Sequence, residues 1–91
     1  MTIKIQLPAV LRACCKGASE LSVSASNVRA ALEEIERTYP ALHRSICDET
    51  GKVRRHVNVF VNNSLMGDRE GLDTELVTGD ILTILPAVSG G

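Results

Sequence analysis

The chain has 91 residues, 44% of them hydrophobic and 23% charged, a balance that favours one folded domain over intrinsic disorder. Size scaling indicates that folding hides roughly 64% of the chain's surface, enough for one modest core. Ten basic and eleven acidic residues leave a net charge of −1, and aromatics make up only 2%. That composition provides neither an electrostatic footprint for nucleic acid nor a platform for base stacking.

Ile3, Ile5 and Leu7 alternate with Thr2, Lys4 and Gln6, the period of a half-buried strand. A polar break containing Gly17 follows, then Leu21 and Val23 alternate again, so the chain is expected to open on a hairpin. Val28, Leu32, Ile35 and Tyr39 then fall on one helical face. Ser26 or Asn27 can cap the start of that helix, and Pro40 is expected to end it. Glu33 and Arg37, one turn apart, are expected to pair on the solvated face. The stretch around Leu42 and Ile46 reads as irregular. Alternation returns from His56 to Asn62, with Val57, Val59 and Val61 on one side and Asn58, Phe60 and Asn62 on the other. Asn62-Asn63-Ser64, Gly67-Asp68 and Gly79-Asp80 mark turns. The last strand, Ile81 to Leu85, is apolar on both faces and so belongs inside a sheet. The order is that of an α+β fold, a mixed sheet packed on one main helix.

The longest apolar stretch, Ile81 to Val88, contains Thr83 and Pro86 and is too short to span a bilayer. Leu11-Arg12-Ala13-Cys14 imitates a lipoprotein cleavage site, but Arg12 and Pro8 break the apolar run such a signal needs. Of the three cysteines, Cys14 and Cys15 are adjacent and Cys47 is remote, which suits free thiols in the cytoplasm. Together with His43 and His56, expected at the surface, they show no metal-ligand spacing. Lys52, Arg54 and Arg55 form a basic cluster before a strand, read as a solvated strand end.

Pro86-Ala87-Val88-Ser89-Gly90-Gly91 follows the last strand with small residues. Extended, the five residues after Pro86 reach about 17 Å. Glycines let a backbone enter another protein's active site without side-chain clash. The terminal carboxylate is ionised at neutral pH and can attack the α-phosphate of ATP to give an acyl-adenylate, which a sulfur nucleophile can displace. We therefore divide the chain into a domain at 1–86 and an extended, flexible tail at 87–91.

With the strand–strand–helix–strand–strand order, Gly79-Asp80-Ile81-Leu82-Thr83-Ile84-Leu85-Pro86 followed by Gly90-Gly91 resembles the ubiquitin-like β-grasp sulfur carriers. This is the family of the thiamine sulfur carrier and the small subunit of molybdopterin synthase. Arg55-His56-Val57-Asn58-Val59-Phe60-Val61-Asn62 and Gly71-Leu72-Asp73-Thr74 look closest to the branch that supplies sulfur for cysteine synthesis. At Leu11-Arg12-Ala13 the chain departs from that branch, which often has proline after the arginine.

The resemblance implies a protein cosubstrate and not an enzyme. The Gly91 carboxylate would be adenylated by an E1-like enzyme using ATP, then converted to a thiocarboxylate, while Gly90, Ser89 and Val88 thread through partner sites. It further implies a sulfur-accepting biosynthetic enzyme, in the cysteine branch a pyridoxal-phosphate-dependent cysteine synthase, and a metal-dependent peptidase that releases the product. The chain itself would bind no cofactor, metal, membrane or nucleic acid. Two other roles stay open: small subunit of molybdopterin synthase, and ubiquitin-like protein modifier. If Leu82 and Ile84 face the helix, Ile81 and Leu85 face outward as a docking patch, with Leu65 after the Asn-rich turn. If the valines of the third strand are core, Phe60 joins it; the alternative is that the faces are inverted and Phe60 or Leu85 is core.

Overall fold

The structure, a computed structural model, describes residues 2–86. In chain order it has β1 (Ile3–Gln6), β2 (Glu20–Val23), α1 (Val28–Thr38), α2 (Pro40–Ile46), β3 (Val57–Val61), β4 (Ser64–Leu65) and β5 (Ile81–Pro86). Three 3₁₀ helices, Ala9–Cys15, Met66–Asp68 and Gly71–Asp73, lie in the connections. The strands form one sheet in the order β2-β1-β5-β3-β4. β1 and β5 are parallel, with Ile5 opposite Leu82; β3 and β5 are antiparallel, with Val59 opposite Ile84. This is the β-grasp arrangement, with the last strand at the centre of a mixed sheet.

Alternation decides what each strand buries. Ile3 and Ile5, Val57, Val59 and Val61, and Leu82 and Ile84 all turn inward. They join Val28, Ala31, Leu32 and Ile35 of α1 in one apolar core. Fully burying each large side chain stabilises by about 1.5–3 kcal/mol, which offsets the entropy of ordering so short a chain. α1 starts on Asn27, whose side-chain oxygen accepts the Ala30 N–H at 2.8 Å.

Four expectations need correction. Pro40 does end α1, but it also opens α2, since the first helical position needs no N–H and suits proline's fixed φ. Leu42 and Ile46, expected in irregular chain, lie one turn apart on this seven-residue helix, and both are fully buried. Arg37 pairs with Glu34, three residues back, instead of Glu33. β1 and β2 pair as the expected hairpin, across a connection that carries both Gly17, at φ 81°, and a 3₁₀ helix whose last residue, Cys15, is buried. His43 belongs to the interior rim, not the surface: its side chain is 12% exposed and its Nδ1 lies 3.9 Å from Glu36.

A polar clamp starts the central strand. Asn62 adopts φ 55°, which asparagine tolerates, and its Nδ2 donates to Asp80 Oδ1 at 3.1 Å. Asn62 Oδ1 accepts the Ile81 N–H at 3.1 Å, and Asp80 Oδ2 accepts the Val77 N–H at 2.9 Å. Gly79, at φ 95°, makes the tight turn before it. The Val77 N–H and then the Asn62 amide hold the Asp80 carboxyl below the ordinary carboxylate value.

Two stability measurements follow from these contacts. Asn27→Ala removes the cap and is expected to cost about 1 kcal/mol in urea denaturation. Because the folded pKa of Asp80 is depressed, its contribution is complete above the unfolded value of about 3.9 and disappears as pH falls through the folded value. Acidification from pH 6 to pH 3 should therefore lower the melting temperature of the wild type more than that of Asp80→Asn. Equal losses would show that the clamp does not couple to protonation.

Candidate functional site at the end of the central strand

β5 carries the chain out of the core at Pro86, whose register partner is Val57 at the start of β3. The expected tail residues Val88, Ser89, Gly90 and Gly91 lie outside the described residues. What the structure shows is the root from which they continue.

Leu82 and Ile84 are fully buried, so Ile81, Thr83 and Leu85 turn to the opposite face of the sheet. Phe60 stands opposite both Leu65 on β4 and Thr83 on β5. Ile81 and Leu85 flank that row one step to either side, at diagonal spacings that long side chains bridge. The structure thus places Phe60, Leu65, Ile81 and Leu85 on one outer face. The first three are half-buried, and Leu85 is 42% exposed. Lys4 and Glu20, 3.7 Å apart, form part of the polar surround of this face. An exposed pair of this kind adds little stability, and its charges are available to a partner.

A second feature beside Leu85 is not legible in the sequence. A cleft of about 440 Å³ opens between the 3₁₀ helix at Ala9–Cys15, the end of α2 and the start of β3, and Leu85 and Pro86 form one wall. Its other walls come from Val10, Leu11, Val57 and Ser45, with Arg54 and His56 alongside. On the other side of Leu85, Arg12 borders a concavity with Gln6, Ser19 and Thr83. Its Nε is buried without a hydrogen-bond partner among the described residues.

The cysteines do not form a reactive centre. Burial, with Asp48 and Glu36 nearby, pushes the Cys47 thiol up to about 11, so it is protonated at neutral pH and a weak nucleophile. Burial also raises Cys15. Among the described residues no three His, Cys, Asp or Glu side chains converge as metal ligands. No helix among them is long and apolar enough to cross a membrane. The site presents an outer sheet face and the end of the central strand.

Fold and site together define a ubiquitin-like β-grasp domain whose central strand leads into a short terminal segment. The model of the ThiS family matches residues 5–91, and the chain belongs to that family. It is 33% identical over 93 residues to the sulfur carrier protein CysO of Mycobacterium tuberculosis, with all of both chains covered. The crystal structure of that CysO superimposes with a TM-score of 0.87 at 32% identity, covering 94% of this chain and 99% of that one. A chain in the crystal structure of the Amycolatopsis orientalis BexX/CysO complex gives a TM-score of 0.88 at 30% identity, covering 98% and 99%.

The exposure of Leu85 makes a direct expectation about stability. Leu85→Glu should change unfolding free energy by less than about 0.5 kcal/mol, as exposed substitutions do. Leu82→Ala, on the opposite and fully buried face of the same strand, should cost about 2–5 kcal/mol. Chemical denaturation of the two variants side by side checks the assignment of faces, and an inverted ranking would overturn it.

Proposed function

We propose that this protein is a sulfur carrier that acts through the carboxylate of Gly91. In the first step an E1-like enzyme lets that carboxylate attack the α-phosphate of ATP, releasing pyrophosphate and leaving an acyl-adenylate. A sulfur nucleophile delivered by the enzyme's sulfur source then displaces AMP, and the product is a thiocarboxylate. Its sulfur passes to a biosynthetic acceptor, on the way to cysteine or a related metabolite, and hydrolysis restores the carboxylate. Gly90, Ser89 and Val88 keep the terminal segment narrow enough to thread. Phe60, Leu65, Ile81 and Leu85 provide an apolar area small enough for a partner to release.

The observation that carries this reading is the match to the sulfur carrier protein CysO over the full length of both chains. The Amycolatopsis CysO assembles with BexX, which supports a working cycle in which the carrier is bound by other proteins. The chain supplies no catalytic group in this scheme: ATP belongs to the activating partner, and pyridoxal phosphate and the peptidase metal belong to enzymes downstream. The scheme places the protein in the cytoplasm, beside these partners.

Intact-mass analysis after incubation with the activating enzyme, ATP and a sulfur source tests the proposal. The wild type should gain the mass of an oxygen-for-sulfur exchange. Deleting Gly91, or adding one residue after it, should reduce loading to background while leaving the melting temperature unchanged. Leu85→Glu, stable but charged at the interface, should load more slowly. A truncated chain that gains the full mass shift would overturn the role of Gly91.

A further inference from the structure

The cleft between the Ala9–Cys15 helix and Pro86 is unusual for so small a surface. Among the described residues, Val10, Val77 and Leu85 are the exposed large hydrophobic side chains, and two of these three line this one cleft. Val10 is 72% exposed, although it sits on a helix whose Cys15 is buried in the core. Leaving a valine in water forgoes the burial that stabilises the core. An apolar concavity at the root of the terminal segment is therefore available for burial against something else.

Its charge indicates what that something is. The chain as a whole is slightly acidic, at −1, yet no carboxylate lines the cleft among the described residues, while Arg54 and His56 do. Arg54 donates its Nε to the Arg44 carbonyl at 2.8 Å, which fixes the guanidinium plane. No described side chain forms an ion pair with the remaining Nη groups. Arg54 stands between this cleft and a second cavity on the helix side, which Asp48 also lines and from which its carboxylate feels the Arg54 charge without an ion pair. A fixed guanidinium with free Nη groups suits a carboxylate, which it can receive bidentately. The volume, about 440 Å³, lies toward the small end of the range for ligand pockets, about 300–1,000 Å³, so the occupant is short.

We propose that the cleft is a docking site for an acidic, leucine-bearing segment of a partner protein, its apolar side chain seated between Val10, Leu11 and Leu85 and its carboxylate on Arg54. Leu85 lies at the meeting point of this cleft and the outer sheet face. A partner bound here grips the root of the terminal segment from a second side. The inference concerns binding alone and holds whether or not Gly91 carries sulfur.

The test uses the full isotope-labelled chain titrated with an amidated hexapeptide of alternating leucine and aspartate, and with its leucine–lysine counterpart. Amide shifts are expected to cluster at Val10, Leu11, Arg54, Val57 and Leu85 with the acidic peptide. Binding should weaken about tenfold or more with the lysine peptide and with added salt. Val10→Asp, at an exposed position and with an unchanged melting temperature, should weaken the acidic peptide about as much. A Phe60→Ser variant of the outer face should bind it normally. Shifts confined to Phe60 and Leu65, equal affinity for both peptides, or no shifts at several millimolar peptide would overturn the proposal. So would a concentration-dependent dimer that Val10→Asp abolishes, because a second copy would then be the occupant.

Discussion

The structure depends on one strand being paired along both edges. β5 is parallel to β1 and antiparallel to β3, and its Leu82 and Ile84 are sealed in the core. Chain order alone would not put the last strand in the middle. It goes there because Leu82 and Ile84 need cover from the helices, while the backbone groups on both edges need partners. With β5 central, the opening β1–β2 pair and the later β3–β4 pair become the two halves of one sheet. The Asn62–Asp80 clamp sets where β5 begins, and therefore which residues turn outward and where the strand ends.

That placement connects stability to function. A strand anchored on both sides delivers Leu85 and Pro86 to a fixed point on the surface, so whatever follows starts from a defined position and direction. Preorganisation of this sort lowers the entropy a partner must supply on binding. The outer face around Phe60 and the cleft around Val10 adjoin the same point. Burial raises the Cys15 and Cys47 thiols, so neither is a thiolate at neutral pH.

Much of this was legible in the sequence, and the reason is periodicity. Val57, Val59 and Val61 alternate without interruption, so the side of β3 to which Phe60 belongs follows from its parity. The apolar character of Ile81–Leu85 on both faces marked a central strand, and the β-grasp resemblance agreed. Elements too short to display a period were not legible. α2 offers only Leu42 and Ile46, one helical interval, and Pro40 before them reads as a stop when it serves both as a stop and as a start. The 3₁₀ helix over Ala9–Cys15 has no repeat that reveals which side it buries. Glu33 and Glu34 precede Arg37 by four and three residues, both spacings that bring helix side chains together, so sequence spacing does not decide which one pairs. The cleft is lined by four separate segments, and no local rule brings those together.

The parallel pairing of β1 with β5 also has a mechanical consequence. The chain enters the sheet at one end of β1 and leaves it at the opposite end of the adjacent β5, because the two strands run the same way. Force applied between the two ends of the domain acts along these strands, sliding one past the other. The ladder bonds between them bear that load together; they do not open one after another as in a peeled hairpin. Tension on the segment after Pro86 meets the same resistance from β3, which flanks β5 on its other edge. Pulling on the end of the domain therefore strains the β1–β5 ladder along its whole length at once.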